Sequence, residues 1–83
     1  MNIRILSPTG VVFEGEISHA TFPGELGSFN VYPRHAPMIS ALKNGVITFW
    51  QNNTPEDQPN TVPIESGFVE INSDNLTVCI EKI

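Results

Sequence analysis

Cations are scarce in this chain of 83 residues. Arg4, Arg34, Lys43 and Lys82 stand against nine acidic residues, for a formal net charge of −5. Four scattered cations make no basic patch or stripe, so the electrostatic footprint of a nucleic-acid binder is missing. An anionic lipid surface would repel the chain as a whole. Cysteine is nearly absent too. With Cys79 alone no intramolecular disulfide is possible, so the fold is held by packing, and the usage fits a reducing compartment. No apolar run approaches the roughly 18 residues that a bilayer span requires. The opening MNIRILSPTG has neither a basic start with a long apolar run nor a small-residue cleavage site, so no signal peptide is read there. Helical periodicity is the last absence. Only PMISALKNG hints at it, and that stretch is too short to stand as a helix alone.

The period that is present is two. TVPIESGFVEI and NLTVCI alternate or run β-branched, and GVITFW is rich in β-branched and aromatic residues. Seven prolines and six glycines punctuate the chain at short intervals, which predicts many short strands in a sandwich or barrel. The length suffices for one domain, residues 1–83. A hydrophobic fraction of 40% with 16% charged residues excludes intrinsic disorder.

The expected strands are Ile3–Leu6, Val11–Phe13, Ile17–Phe22, Val31–Tyr32, Met38–Leu42, Val46–Gln51, Thr61–Ser66, Phe68–Ile71 and Leu76–Ile80. Turns are expected at SPTG, KNG and NSDN, each carrying the residues tight turns need. Asn44-Gly45 between two strand-like runs reads as a hairpin. NNTPEDQPN reads as a long exposed loop between two strands. There is no internal repeat.

Residue types that carry chemistry are few and dispersed. His19 and His35 are far apart, and with one cysteine they make no metal-binding spacing. Ser18 and His19 are adjacent, so on a regular strand they face opposite sides and form no nucleophile–base pair. No nucleophile elbow of the G-x-S-x-G type occurs. Glu14 and Glu16 share a strand face, which fits a solvated surface better than acid–base work. Cys79 alternates with Val78 and Ile80 and is expected to face away from the main core, against a covering loop or a partner. The stretch FPGELGSFN lacks the lysine and the following helix of a phosphate loop. Gly24 and Gly27 are read there as turn residues tolerant of positive φ, and Asn30 as a left-handed residue. No catalytic residue, cofactor or metal ligand is expected.

The stretch YPRHAP, residues 32–37, stands apart. Pro33 and Pro37 exclude a helix interior and suit a central strand badly. They make a rigid corner that presents Arg34 and His35. Stiffness of this kind favours an interface, because less freedom is lost on docking. From residues alone, a stand-alone sandwich that binds a peptide or glycan is the alternative. It would need an exposed aromatic platform, for which Trp50 beside Phe49 is the one candidate. A small hydrolase is disfavoured.

The run FPGELGSFNVYPRHAPMISALKNGVI, residues 22–47, resembles the epsilon-subunit family of F-type ATP synthases. Gly24, Gly27, Pro33, His35, Ala36, Pro37, Lys43 and Gly45 carry the likeness. The opening ILSPTGVVFEGEI and the closing VPIESGFVEINSDNLTVC agree with it. Asn30 stands where the family often has glycine, and Arg34 fills a variable position.

The resemblance implies an all-β fold, a flattened β-sandwich of about ten short, mostly antiparallel strands. It implies a non-catalytic central-stalk subunit of the rotor. That subunit binds the gamma subunit and the ring of c subunits, and it couples proton or sodium flow to ATP synthesis. Glu25, Leu26, Ser28 and Phe29, with Arg34 and His35 of the corner, are expected to meet the ring. Gly24, Gly27, Asn30, Pro33, Pro37 and Gly45 shape the turns. Family members usually continue into a C-terminal helical hairpin that inhibits ATP hydrolysis and in some members binds ATP. This chain is expected to lack the hairpin, and with it nucleotide binding. A peripheral place on the cytoplasmic face of a bacterial inner membrane follows, with no direct insertion.

Overall fold

Alternating and β-branched stretches become strands along the whole chain. The structure, a computed structural model, describes residues 1–83 and contains seven strands and no helix. They are β1 (Asn2–Ser7), β2 (Gly10–Gly24), β3 (Gly27–Val31), β4 (Met38–Leu42), β5 (Gly45–Gln51), β6 (Asn60–Asn72) and β7 (Asn75–Lys82).

Two of these strands are long, and they organise the rest. The first half of β2 pairs with β1, and its second half pairs with β5 and β3. The first half of β6 pairs with β5, and its second half pairs with β4. Each long strand is irregular at the changeover, between Ile17 and His19 in β2 and between Ile64 and Ser66 in β6. Bulges of this kind bend a strand and let it switch sheets. One layer is therefore β4, β6, β7, β1 and the start of β2. The other is β3, the end of β2, β5 and the start of β6. All pairings are antiparallel except β1 with β7.

Between the layers lies a single core of 16 residues. Ile3, Ile5, Val69, Ile71, Leu76 and Val78 come from the first layer, and Ala20, Phe22, Val31, Ile47, Phe49 and Ile64 from the second, all of them buried. The period-two pattern produces this directly, since every second residue points inward. No polar or charged residue is buried, so the interior is held by apolar packing alone, as the lone cysteine requires.

The all-β sandwich matches the expectation, with corrections in detail. The residues gave nine short strands and the resemblance about ten, and seven are found, because Val11–Phe13 joins Ile17–Phe22 and Thr61–Ser66 joins Phe68–Ile71. The apparent breaks, at residues 14–16 and at Gly67, are paired strand beside the two bends. The expected Asn44-Gly45 hairpin does not form between its flanking strands. β4 and β5 do not pair with each other; β4 pairs with β6 and at one point with β2, and β5 pairs with β2 and β6. Asn30 is not left-handed. It lies in β3 opposite Thr21, and its Oδ1 accepts a hydrogen bond from Thr21 Oγ1 at 2.7 Å. The left-handed non-glycine residues are Arg34, Asn53 and Ser73.

Gly67 sits between Leu42 and Ile80 in the register, and a Cβ there would run into the Cys79 carbonyl oxygen. Backbone cannot swing away as a side chain can. Gly67→Ala is expected to lower the unfolding free energy by about 1–3 kcal/mol in urea titration, the usual size for overpacking. Gly15→Ala serves as the comparison, since its Cβ would meet only the Phe13 ring at 3.3 Å, and a far smaller loss is expected.

Candidate functional site

The hairpin that joins β2 to β3 projects Glu25 and Leu26 from one end of the sandwich. Leu26 is fully exposed. Gly27, at φ +132°, supplies a backbone conformation closed to L side chains, as expected. Gly24 is needed for a different reason. Its φ is ordinary, but a Cβ would lie 2.6 Å from the Gly27 carbonyl oxygen and 2.9 Å from the Phe29 ring. Glu25 N donates to Ala41 O at 3.0 Å, and Lys43 N donates to Pro23 O at 2.9 Å, tying the hairpin to the end of β4. A cleft of about 540 Å³ opens between the hairpin with β3 and the length of β4, lined among others by Glu25, Leu26, Ser28, Phe29, Met38 and Ile39. Four of the six expected contact residues thus gather at one mouth.

Arg34 and His35 do not join them. They follow β3, which separates them from the hairpin by about 13 Å of extended chain. The proline-fixed corner is braced in three ways. Tyr32 stacks on His19 with ring centroids 5.3 Å apart and an interplanar angle of 16°. His35 Nδ1 lies 2.7 Å from Ala36 O, so Nδ1 carries the proton and donates it to that carbonyl. The Arg34 amide donates to Asp74 Oδ1 at 3.2 Å, from a backbone φ of 66°. The His35 ring is thus engaged with the backbone of the corner itself. Arg34 is exposed, and no carboxylate lies within ion-pair distance of its guanidinium.

The outer face of the first layer carries an apolar row. Ala41 lies opposite Phe68, Phe68 opposite Cys79, and Cys79 opposite Leu6. Phe68 is 47% exposed, and nearby Ile39 is 71% exposed. A groove of about 560 Å³ runs alongside, lined among others by Leu6, Pro8, Leu42, Phe68, Cys79 and Ile80. Cys79 thus faces away from the core, half-buried, as its alternation implied.

Ser18 and His19 correct the reading that kept them apart. The bulge in β2 turns both to one side, and Ser18 Oγ lies 2.9 Å from His19 Nδ1. Glu56 Oε1 stands 3.7 Å from His19 Nε2. The group nonetheless has no catalytic geometry. Ser18 Oγ donates to the Trp50 carbonyl at 3.1 Å, and neither Ser18 nor His19 lines any cavity. Trp50 stacks on His19 at 4.3 Å and donates Nε1–H to the Glu56 carbonyl at 2.9 Å. Its ring is engaged within the chain and holds the 52–59 loop. Glu14 and Glu16 are engaged too, with Arg4 at 3.3 Å and with the Met1 amino group at 3.3 Å.

Sequence reasoning missed Asp74 as a partner of the corner. The two residues are 40 positions apart, and no spacing rule links them. The left-handed arginine was missed because asparagine is the usual candidate for that conformation. An L-residue there loses about 1 kcal/mol or more. Arg34→Gly is accordingly expected to raise the unfolding free energy by about 0.5–1 kcal/mol in denaturant titration, since glycine enters the region freely.

Comparison with known proteins adds the family. The profile described as ATP synthase, Delta/Epsilon chain, beta-sandwich domain matches residues 1–83. The ATP synthase epsilon chain of a Nitratiruptor species is 35% identical over 81 residues, covering 98% of this chain and 60% of that protein. The epsilon chain of Rickettsia typhi is also 35% identical over 81 residues, covering 98% of this chain and 73% of that protein. This chain spans about three fifths of the length of the Nitratiruptor and Sulfurovum relatives. Among solved structures, a chain in the central stalk/c-ring of the Tetrahymena thermophila mitochondrial ATP synthase superposes with TM-score 0.81 at 13% identity, covering 99% of this chain and 63% of that one. A chain in the OSCP/F1/c-ring assembly of the Euglena gracilis mitochondrial enzyme gives TM-score 0.84 at 14% identity, covering 94% and 48%. The fold is thus shared even where little sequence is, and on the strength of the full-length profile match and these relatives the chain belongs to the ATP synthase delta/epsilon family, matching its β-sandwich domain.

Proposed function

We propose that the chain is a non-catalytic central-stalk subunit of an F-type ATP synthase. It binds the gamma subunit and the c ring and turns with them, coupling proton or sodium flow to ATP synthesis. The reading is supported by the family and by the stalk and ring assemblies in which its structural neighbours occur. No helix is long and apolar enough to cross a membrane. The attachment proposed is therefore peripheral, through protein partners, at the cytoplasmic face of a bacterial inner membrane. No nucleotide, cofactor or metal enters the role.

The observation that carries the reading furthest is the separation of the expected contact residues into two ends. A rotor subunit of this kind has two partners to meet. The hairpin tip, with Glu25, Leu26, Ser28 and Phe29, is the end proposed to rest on the ring. The corner with Arg34 and His35, expected at the ring from the sequence resemblance, is proposed instead to meet gamma, together with the apolar row through Phe68 on the adjoining face. An exposed apolar row with polar groups at its margin is the composition a protein partner covers. The free guanidinium of Arg34 suits a carboxylate or backbone carbonyls of that partner.

Leu26→Asp and Arg34→Glu separate the two contacts. Both are surface changes, expected to alter stability by no more than about 0.5 kcal/mol. In pull-downs with detergent-solubilised c ring and with gamma, Leu26→Asp is expected to lose the ring and keep gamma. Arg34→Glu is expected to weaken gamma binding roughly tenfold, the loss of one charge-assisted contact. Wild-type capture of both partners by both variants would contradict the assignment.

A further inference from the structure

Asp74 occupies the two-residue turn between β6 and β7, beside a left-handed Ser73 at φ 56°. Three groups converge on it from elsewhere in the chain. The Arg34 amide donates to its Oδ1 at 3.2 Å. The Met1 amino group stands 3.7 Å from its Oδ2. Its own carbonyl accepts from the Asn2 amide at 2.9 Å. The turn is thus stitched to the start of β1, and one carboxylate oxygen remains directed at the corner.

That corner holds the strained residue. Arg34 is left-handed at φ 66°, with Pro33 before it and Pro37 three residues on. The prolines fix their own φ angles but cannot choose the conformation of Arg34 between them. With the amide held in place, the ordinary right-handed or extended region would send the side chain and the chain that follows in another direction. The one side-chain acceptor that reaches the Arg34 amide is Asp74 Oδ1. The guanidinium itself is left without a carboxylate partner.

We infer that Asp74 is a positioning residue for the docking corner. By capturing the Arg34 amide it fixes the peptide plane from which the left-handed Arg34 departs, and so aims the free guanidinium outward at the partner. It spends its carboxylate on the backbone, so the side-chain charge stays available. The inference rests on the reading of Arg34 as a docking residue and adds what sets its direction. Asp74 itself makes no contact with the partner in this arrangement.

The test uses Asp74→Ala, Asp74→Asn and Arg34→Gly, singly and combined. Arg34→Gly removes the guanidinium and needs no help to adopt positive φ. Asp74→Asn keeps an acceptor oxygen where Oδ1 stands. Two readouts are taken: amide hydrogen exchange at residue 34, and affinity for the rotor made of gamma and the c ring. Exchange of the Arg34 amide is expected to speed roughly tenfold in Asp74→Ala and to stay near wild type in Asp74→Asn. Rotor affinity should fall roughly tenfold in Asp74→Ala and no more than about twofold in Asp74→Asn. In the Arg34→Gly background, Asp74→Ala should cause no further loss, since the residue it positions is gone.

An equal loss from Asp74→Ala with and without Arg34 would overturn the inference, because Asp74 would then act on its own. Unchanged amide exchange in Asp74→Ala would overturn it as well. Wild-type rotor affinity in Arg34→Gly would instead remove the docking role of Arg34, and with it the interaction role of Asp74. That result fails the underlying reading rather than the positioning step, which amide exchange decides separately.

Discussion

β2 and β6 each leave one layer of the sandwich and enter the other, and the surface features depend on those two bends. A strand that serves both layers carries its partners with it. β1 and β7 are held on one side and β3 and β5 on the other. The core needs no polar contact because the shared strands bring two apolar faces into register. The bend in β2 also turns Ser18 and His19 to the same side, which lets His19 lie between Tyr32 and Trp50. Through Tyr32 that stack reaches the proline corner, and through Trp50 it reaches the 52–59 loop. A local irregularity in one strand thereby sets two distant surface segments.

The same geometry separates the two ends of β3. The strand is short and pairs only with β2, so its other edge is open. Its hairpin tip is tied down by the end of β4, and its far end runs into the corner, which is tied down by the β6–β7 turn. Val31 anchors the corner end of β3 in the core, but the residues beyond it and the hairpin tip lie outside it. The tip is tied by backbone hydrogen bonds and the corner by the Asp74 carboxylate on the Arg34 amide, which leaves Leu26 and the Arg34 guanidinium free for a partner. An arginine is tolerated at positive φ for that reason. The strain of about 1 kcal/mol is of the same size as one hydrogen bond from a backbone amide to a carboxylate.

The fold class was legible because period two survives almost everywhere. Ile3 and Ile5, Leu76, Val78 and Ile80, and Phe22 with Ala20 point inward as their spacing demands. The turns at SPTG and NSDN were legible from their Gly, Asn and Asp residues. What the pattern could not show was continuity through a bend. Gly15 within β2 and Gly67 within β6 resemble strand breaks, yet pairing runs across both positions. Asn44-Gly45 carried the residues of a hairpin, but the flanking strands found other partners, since tertiary pairing outweighs a local preference. At the candidate site, the residue types were legible and their grouping was not. Tip and corner adjoin in sequence, and only the extended backbone of β3 shows that they part. The contact between Arg34 and Asp74 left no trace in spacing, because it joins two turns that meet only when β4 is paired with β6.

Binding to the gamma subunit is the property on which the proposed role depends. The most direct measurement is co-expression of this chain with the gamma subunit of the same genome, followed by size-exclusion chromatography with mass determination. Co-elution as a one-to-one complex is expected, with the face around Phe68 and the Arg34 corner protected on binding. Elution of two separate, folded proteins at micromolar concentration would contradict that role.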